Sequence, residues 1–374
     1  MAEPLKTFFS ASLVRRLAAD LARVDPSFPA RRFITDACAG LDGLELLDRG
    51  RHIARALVKH LPRDYPQAVD VLLRSLGPEH TSDELLGVGM APFYYLPHTI
   101  FVAERGLDDF DVSMQAQYEL TKRFSAESSI RPYIGRYPER TLERLRAWAA
   151  DANPHVRRLV SEGTRLRLPW AARVSWLDEH PERIIALIDL LKDDPASMVR
   201  RSVANNLNDL GKVHPQLLIQ TCEAWLRDAS PERRLVVEHA LRSAVKRGVP
   251  EALRLLGYGG KASVVIEDVR ISPRRVAIGG RVSIGFALRS RSRAVQDLLV
   301  DLAVHFVKAH GRTSPKVFKL KRITLPARGR IPFATSISIA VHTTRTPQPG
   351  RHAVDIVVNG KATPIGAFQV LGVK

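Results

Sequence analysis

The sequence predicts a multidomain chain in which an α-solenoid precedes an all-β sandwich. Three observations carry this. Across residues 1–260 apolar side chains recur at three- and four-residue spacing, as in amphipathic helices. The basic pairs Lys122-Arg123, Arg157-Arg158, Arg200-Arg201 and Arg233-Arg234 return at intervals of 35, 43 and 33 residues, a period typical of two-helix repeats. Near LGYGGKAS, residues 256–263, the apolar period falls to two.

Taken in order, LVRRLAADLARV and DRGRHIARALVKHL read as helices, and DPSFPAR, PRDYPQ and LGPEH as the polar breaks between helices. In DANPHVRRLVSEG, Asn153 can cap and Pro154 suits the first turn; DDPASMVRRSVANNL and DASPERRLVVEHALRSA repeat that layout. Residues four apart share a helix face. The registers Arg123-Glu127, Arg158-Glu162, Arg201-Asn205 and Arg234-Glu238 would therefore align when repeats stack. Val156, Leu159, Val160 and Gly163 form an inward stripe, with Arg158, Glu162 and Arg165 beside it. Such repeats, of HEAT-like type, stack into a curved solenoid whose second helices line the concave side, expected here over residues 1–259.

From residue 260 onwards VVIEDVRI, RVSIGFAL, DLLVDLAVHFV, ATSISIAV and HAVDIVV are β-branched runs broken by turn residues. The ending PGRHAVDIVVNGKATPIGAFQV reads as a hairpin turning at Asn359-Gly360. Residues 260–374 are thus expected to form an immunoglobulin-like sandwich. RSRSRAVQD, HGRTSPKVFKLKR and PARGR read as its charge-dense loops or edges.

The formal charge of +18 favours a polyanionic partner, and residues 261–374 alone supply +15 of it. Two cysteines, Cys38 and Cys222, allow neither a disulfide framework nor a cysteine-rich zinc site. The start MAEPLKTFFSASLVRRL lacks a secretory pattern and no long apolar run occurs, so a cytoplasmic chain without a membrane partner is expected. There is no Walker loop, GxGxxG after a strand, HExxH or GxSxG. The histidines show no metal-ligand spacing; His52, His60, His80 and His98 read as surface or cap residues, and no metal is expected.

What stands out is a set of carboxylates among arginines. A phosphate-binding surface has no use for carboxylates unless its target also carries positive charge. An Arg and a Glu four apart usually make only a surface pair worth a few tenths of a kcal/mol, roughly, and that reading suits Glu238. Three sites resist it. Glu127 lies in KRFSAESSIRPYI, where Pro132 ends a helix. Glu162 lies in RRLVSEGTRLRLPW, where Gly163 removes bulk beside it. Asp209 lies in VRRSVANNLNDLGK, among asparagines unusual in a helix interior. Trp170, after Pro169, could join them in cradling a cation; Tyr133, after Pro132, reads as core.

These segments resemble the AlkC family of HEAT-like repeat alkylpurine DNA glycosylases, in the AlkC/AlkD superfamily. The resemblance runs from LVRRLAADLARVDPSF and GLDGLELLDRGRHIARALVKHLP through FVAERGLDDFDVSMQAQYELTKRFSAESSIRPYI. It continues in NPHVRRLVSEGTRLRLPWA and ASMVRRSVANNLNDLGK, the last three motifs being specific. A subset of the family carries a C-terminal immunoglobulin-like domain, matching residues 260–374. The resemblance implies excision of cationic alkylated bases, N3-methyladenine and 3-methylcytosine, without base flipping, in base excision repair. It implies Glu127, Glu162 and Asp209 as catalytic residues and Trp170 as the lesion or sugar contact. Lys122, Arg123, Arg157, Arg158, Arg165, Arg200 and Arg201 would hold the DNA backbone. The implied partner is double-stranded DNA containing alkylated bases, with no cofactor, and the implied setting a monomer in the bacterial cytoplasm, on the nucleoid. On fold alone, a HEAT-repeat scaffold or a non-catalytic DNA-binding protein fits as well.

Overall fold

The computed structural model describes residues 4–81, 89–341 and 346–372. Fifteen α-helices come first among these residues. They are α1 (Ala11–Val24), α2 (Ala30–Cys38), α3 (Leu46–His60), α4 (Tyr65–Arg74), α5 (Leu96–Arg105), α6 (Phe110–Thr121), α7 (Arg131–Arg136) and α8 (Pro138–Trp148). There follow α9 (Pro154–Gly163), α10 (Ser175–Glu179), α11 (Pro181–Ile188), α12 (Ser197–Leu210), α13 (Pro215–Leu226), α14 (Pro231–Lys246) and α15 (Pro250–Leu255).

The start signals act as expected at α9 but not at α12, which begins at Ser197 with Pro195 outside the helix and, among the described residues, no side-chain cap at Ala196. The Asn153 side chain accepts from the His155 N–H at 2.8 Å, with Pro154 in the first turn of α9. Asp64 caps α4 by accepting from Gln67 N–H at 3.0 Å. Val156, Leu159 and Val160 are buried, and α9 packs against α6, α8, α11 and α12. Tyr133 is fully buried, and its hydroxyl donates to the Val102 carbonyl at 2.7 Å.

Three local readings change. The Arg123-Glu127 register is not helical, because α6 ends at Thr121 and residues 122–130 form turns. Pro132 does not end a helix; it lies in the first turn of α7, where its missing N–H costs nothing. His98 is neither surface nor cap: it is 1% exposed in α5, both ring nitrogens lack hydrogen-bond partners among the described residues, and burial holds its pKa down at about 3.

The β region contains β1 (Val264–Ser272), β2 (Arg275–Ala277), β3 (Arg281–Ser290), β4 (Gln296–Val307), β5 (Thr313–Leu325), β6 (Arg330–Ser338), β7 (Gly350–Val358) and β8 (Lys361–Leu371). A three-stranded sheet, β1-β3-β6, faces a five-stranded one, β2-β8-β7-β4-β5, across a core that includes Val282, Phe286, Leu302, Ile356 and Phe368. Asn359 and Gly360 both take positive φ, 47° and 77°, as a two-residue turn between β7 and β8 requires. The basic segment after His310 is an edge strand, β5, pairing only with β4. Lysines along it guard an open edge.

Packing divides the chain into residues 1–240 and 241–374. The second unit takes the end of α14 together with α15, because Gly248 and Leu253 pack on the β7–β8 turn: a Cβ at Gly360 would sit 2.7 Å from Leu253 Cδ1 and 2.9 Å from Gly248 Cα. The change from helix to strand nevertheless falls between α15 and β1, where the apolar period changes.

Candidate active site

Three elements supply the carboxylates. Glu127 comes from the turn before α7, Glu162 from the last turn of α9, and Asp209 from the last turn of α12. Close packing of α9 on α12 is set by small and polar residues. Asn206 Nδ2 donates to the Ser161 carbonyl at 2.8 Å and to Thr164 Oγ1 at 3.0 Å. Gly163 is required here, since a Cβ would lie 2.6 Å from Ile130 Cγ2.

The carboxylates are joined by interleaved cations. Arg158 Nη2 lies 3.4 Å from Glu127 Oε2 and 3.4 Å from Glu162 Oε1. Arg165 Nη1 donates to Glu162 Oε2 at 2.9 Å, while its Nη2 reaches Asp209 Oδ2 at 2.7 Å. Lys212 Nζ closes the row on Asp209 Oδ1 at 2.7 Å. Ser125 Oγ donates to Glu127 Oε2 at 2.6 Å. The three sequence-predicted carboxylates therefore share one site, with Glu127 half-buried and Glu162 and Asp209 buried. Burial by itself pulls the Arg165 guanidinium down and is the largest influence, yet Glu162 and Asp209 together outweigh it and leave its pKa raised.

Trp170 lies on the segment between α9 and α10. It is 69% exposed and holds φ = 63°, a left-handed conformation that an aromatic residue adopts at a cost of about 1–2 kcal/mol. An exposed indole held in a strained backbone is not there for packing. Arg131 fixes the segment: its Nη1 donates to the Gly163 and Arg165 carbonyls, both at 2.9 Å, and its Nε to the Ala172 carbonyl at 2.8 Å. It is 3% exposed with no carboxylate partner among the described residues, and burial pushes its pKa down to about 10. The sequence gave no sign of this clamp, which joins residues 32 to 41 positions apart.

The other basic residues divide by surroundings. Lys122 bridges Glu79 and Glu119 at 3.3 and 3.2 Å and lies over the Tyr118 ring at 4.3 Å. Arg123 is tied to the Gly77 carbonyl at 2.7 Å and to Glu119 at 3.0 Å. Arg157 grips Asp194 through Nε at 2.6 Å and Nη2 at 2.9 Å. Arg200 is half-buried and donates through Nη1 to the Asp194 and Pro195 carbonyls. Arg201 is exposed, with no ion pair among the described residues. Among the described residues no group of histidine, cysteine and carboxylate side chains could hold a metal ion, and no helix is long and apolar enough to cross a membrane.

This arrangement has close counterparts. The sequence family described as DNA alkylation repair enzyme matches residues 121–250, which contain the whole row, and the C-terminal Ig-like domain of YhaZ matches residues 265–372. The YhaZ protein of Bacillus subtilis is 31% identical over 367 residues, 98% of this chain and 99% of that one. The Pseudomonas fluorescens alkylpurine DNA glycosylase AlkC, solved bound to DNA containing an abasic site analog, superposes with a TM-score of 0.92 at 36% identity, covering 99% of this chain and 100% of that one. The chain belongs to the AlkC family. It is of the AlkC kind that carries an immunoglobulin-like C-terminal domain, and the likeness spans both units rather than the helical part alone.

Proposed function

We propose that this AlkC-family protein is a monofunctional DNA glycosylase that removes cationic alkylated bases, N3-methyladenine and 3-methylcytosine, from double-stranded DNA. The observation that carries the reading is the row Glu127–Arg158–Glu162–Arg165–Asp209, to which Arg131 ties the segment carrying Trp170. The AlkC of P. fluorescens, an alkylpurine DNA glycosylase bound to abasic-site DNA, supports it.

The chemistry follows from charge. Alkylation at a ring nitrogen makes the base a cation and a good leaving group, so it needs no protonation. As the C1′–N bond breaks, its electron pair goes to the base and positive charge develops on the sugar. Fixed carboxylates oppose that charge without reorganising, which is electrostatic preorganisation. Water then adds to C1′, and its proton passes to a carboxylate acting as base. Glu162 and Asp209 share water activation and sugar stabilisation, Glu127 closes the site, and Trp170 packs on the deoxyribose or lesion. No base flipping is needed, because the attraction is to charge at the duplex surface. Phosphate contacts fall to the accessible Arg158, Arg200 and Arg201, while Lys122, Arg123, Arg157 and Arg165 hold the geometry. The basic loops of the immunoglobulin-like domain add grip.

Purified protein on methylated DNA should release N3-methyladenine and 3-methylcytosine and leave uracil in place. Release of uracil at a comparable rate would overturn the reading, since a neutral base offers the carboxylates nothing to attract.

A further inference from the structure

We infer that the cavity between α5, α7 and the segment carrying Trp170 and Trp176 is a product site, which takes the excised base once it has lost its positive charge. The inference rests on the glycosylase reading for the origin of the base, though not for its binding.

The cavity measures about 630 Å³, within the range of ligand sites, roughly 300–1,000 Å³. Trp170 and Trp176 stand on one side and Leu96 and Ile100 of α5 on another, surfaces suited to a planar ring. Ser128, directly after Glu127, borders it, so the cavity adjoins the carboxylate row. Arg131 lines it as well. Its Nε and Nη1 are committed to three carbonyls, but Nη2 has no protein partner among the described residues. Nη2 is not one of the buried atoms left without a partner, so it meets solvent and is a donor edge that a ligand acceptor can take in place of water.

Charge separates this cavity from its neighbour. Arg51, Arg131 and Arg173 outnumber the lining carboxylate, Glu104, whereas in the row beside it Glu127, Glu162 and Asp209 are matched by Arg158, Arg165 and Lys212. In DNA the alkylated base is a cation, attracted to the carboxylates and repelled by Arg131. When the C1′–N bond breaks, its electron pair becomes a lone pair on the departing nitrogen. The base is then neutral and bears a new acceptor. Bond cleavage thus removes the repulsion that kept it at the carboxylate row and out of the arginine-lined cavity.

Full-length protein without DNA would be titrated with free 3-methyladenine, adenine and the permanently cationic N3,N9-dimethyladenine, read by tryptophan fluorescence. Gly135 lines the cavity, and a Cβ there meets nothing within 4 Å, so Gly135→Phe fills the space while leaving Arg131 in place. The expected result is saturable binding of the neutral bases, at least tenfold weaker in Gly135→Phe, and no binding of the cation. Absence of saturable binding, equal binding of the cation, or affinity unchanged by Gly135→Phe would each overturn the assignment. A second arm uses an abasic duplex with 2-aminopurine opposite the gap. If its fluorescence change on binding disappears in Gly135→Phe, the cavity takes a base of the DNA and the product assignment falls. Excision from methylated DNA is measured separately, so loss of catalysis with base binding intact would sink the glycosylase reading alone.

Discussion

Glu162→Gln isolates the negative charge from its shape. The wild-type carboxylate touches Arg165 at 2.9 Å and Arg158 at 3.4 Å, and is 4% exposed. Glutamine can keep its oxygen on Arg165, which retains Asp209 at 2.7 Å. Folding should therefore lose only the difference between a charged and a neutral hydrogen bond, about 1–2 kcal/mol. Catalysis should lose more. A unit charge about 4 Å from the developing sugar cation, at an effective dielectric near 20, is worth about 4 kcal/mol. That corresponds to about 10³-fold in rate, and removing one stabilising group from a preorganised site costs about 10²–10³-fold. DNA affinity should hold or rise slightly, because one charge repelling phosphate is gone. Single-turnover release of N3-methyladenine, with equilibrium binding to an abasic duplex at the same salt, reads both quantities. A parental rate would refute the catalytic role, and equal losses of rate and binding would reduce Glu162 to a structural part.

Trp170→Gly should act in opposite senses on stability and activity. It relieves the φ of 63° without emptying any core, so unfolding free energy should stay level or rise by about 1 kcal/mol, while excision falls; a clear loss of stability in denaturant titration would contradict this. Asp301, in β4, has one buried oxygen without a partner, and burial raises its pKa above 3.8. A raised carboxylate weakens the fold above the unfolded value and not below it. Asp301→Asn should therefore stabilise by about 1 kcal/mol at pH 7 and by almost nothing at pH 3, as unfolding curves at the two pH values would tell. Replacing the exposed Arg291, Arg293 and Arg328 with Gln should weaken DNA binding and flatten its log–log salt dependence by about 0.9 for each phosphate no longer neutralised; an unchanged slope would remove these loops from the interface.

How much of this was legible in sequence depends on the range of each interaction. Asn153, Pro154 and the stripe Val156, Leu159, Val160 were readable because capping and helical periodicity act within one turn. The β7–β8 turn was readable for the same reason. The engagements of the basic pairs were not, since Arg157 finds Asp194 37 residues away and Arg165 finds Asp209 44 away. Positive charge left β5 readable only as a loop or an edge, because lysines there obscure the alternation that ends in buried Ile323 and Leu325. The end of α6 at Thr121 was hidden too: nothing between Lys122 and Glu127 forbids a helix, and the Gly77 carbonyl that takes Arg123 lies 46 residues back. The carboxylates themselves were found by the reverse argument, as residues whose presence no local rule explained.

In the stretch from 122 to 212 several rules of stable design are broken together. Trp170 adopts a backbone suited to glycine, Arg131 is buried with no carboxylate in contact among the described residues, Glu162 and Asp209 are buried charges, and α9 ends against Ile130 with no room for a Cβ. Each feature alone could be a structural accident. They are one assembly, however, because Arg131 binds the carbonyls of Gly163 and Arg165, Arg165 binds Glu162 and Asp209, and Gly163 follows Glu162 in the chain. Buried ion pairs are poor sources of stability compared with apolar packing. A row of them, anchored to a strained exposed indole, makes sense as a site kept rigid against a charge that arrives from outside the protein.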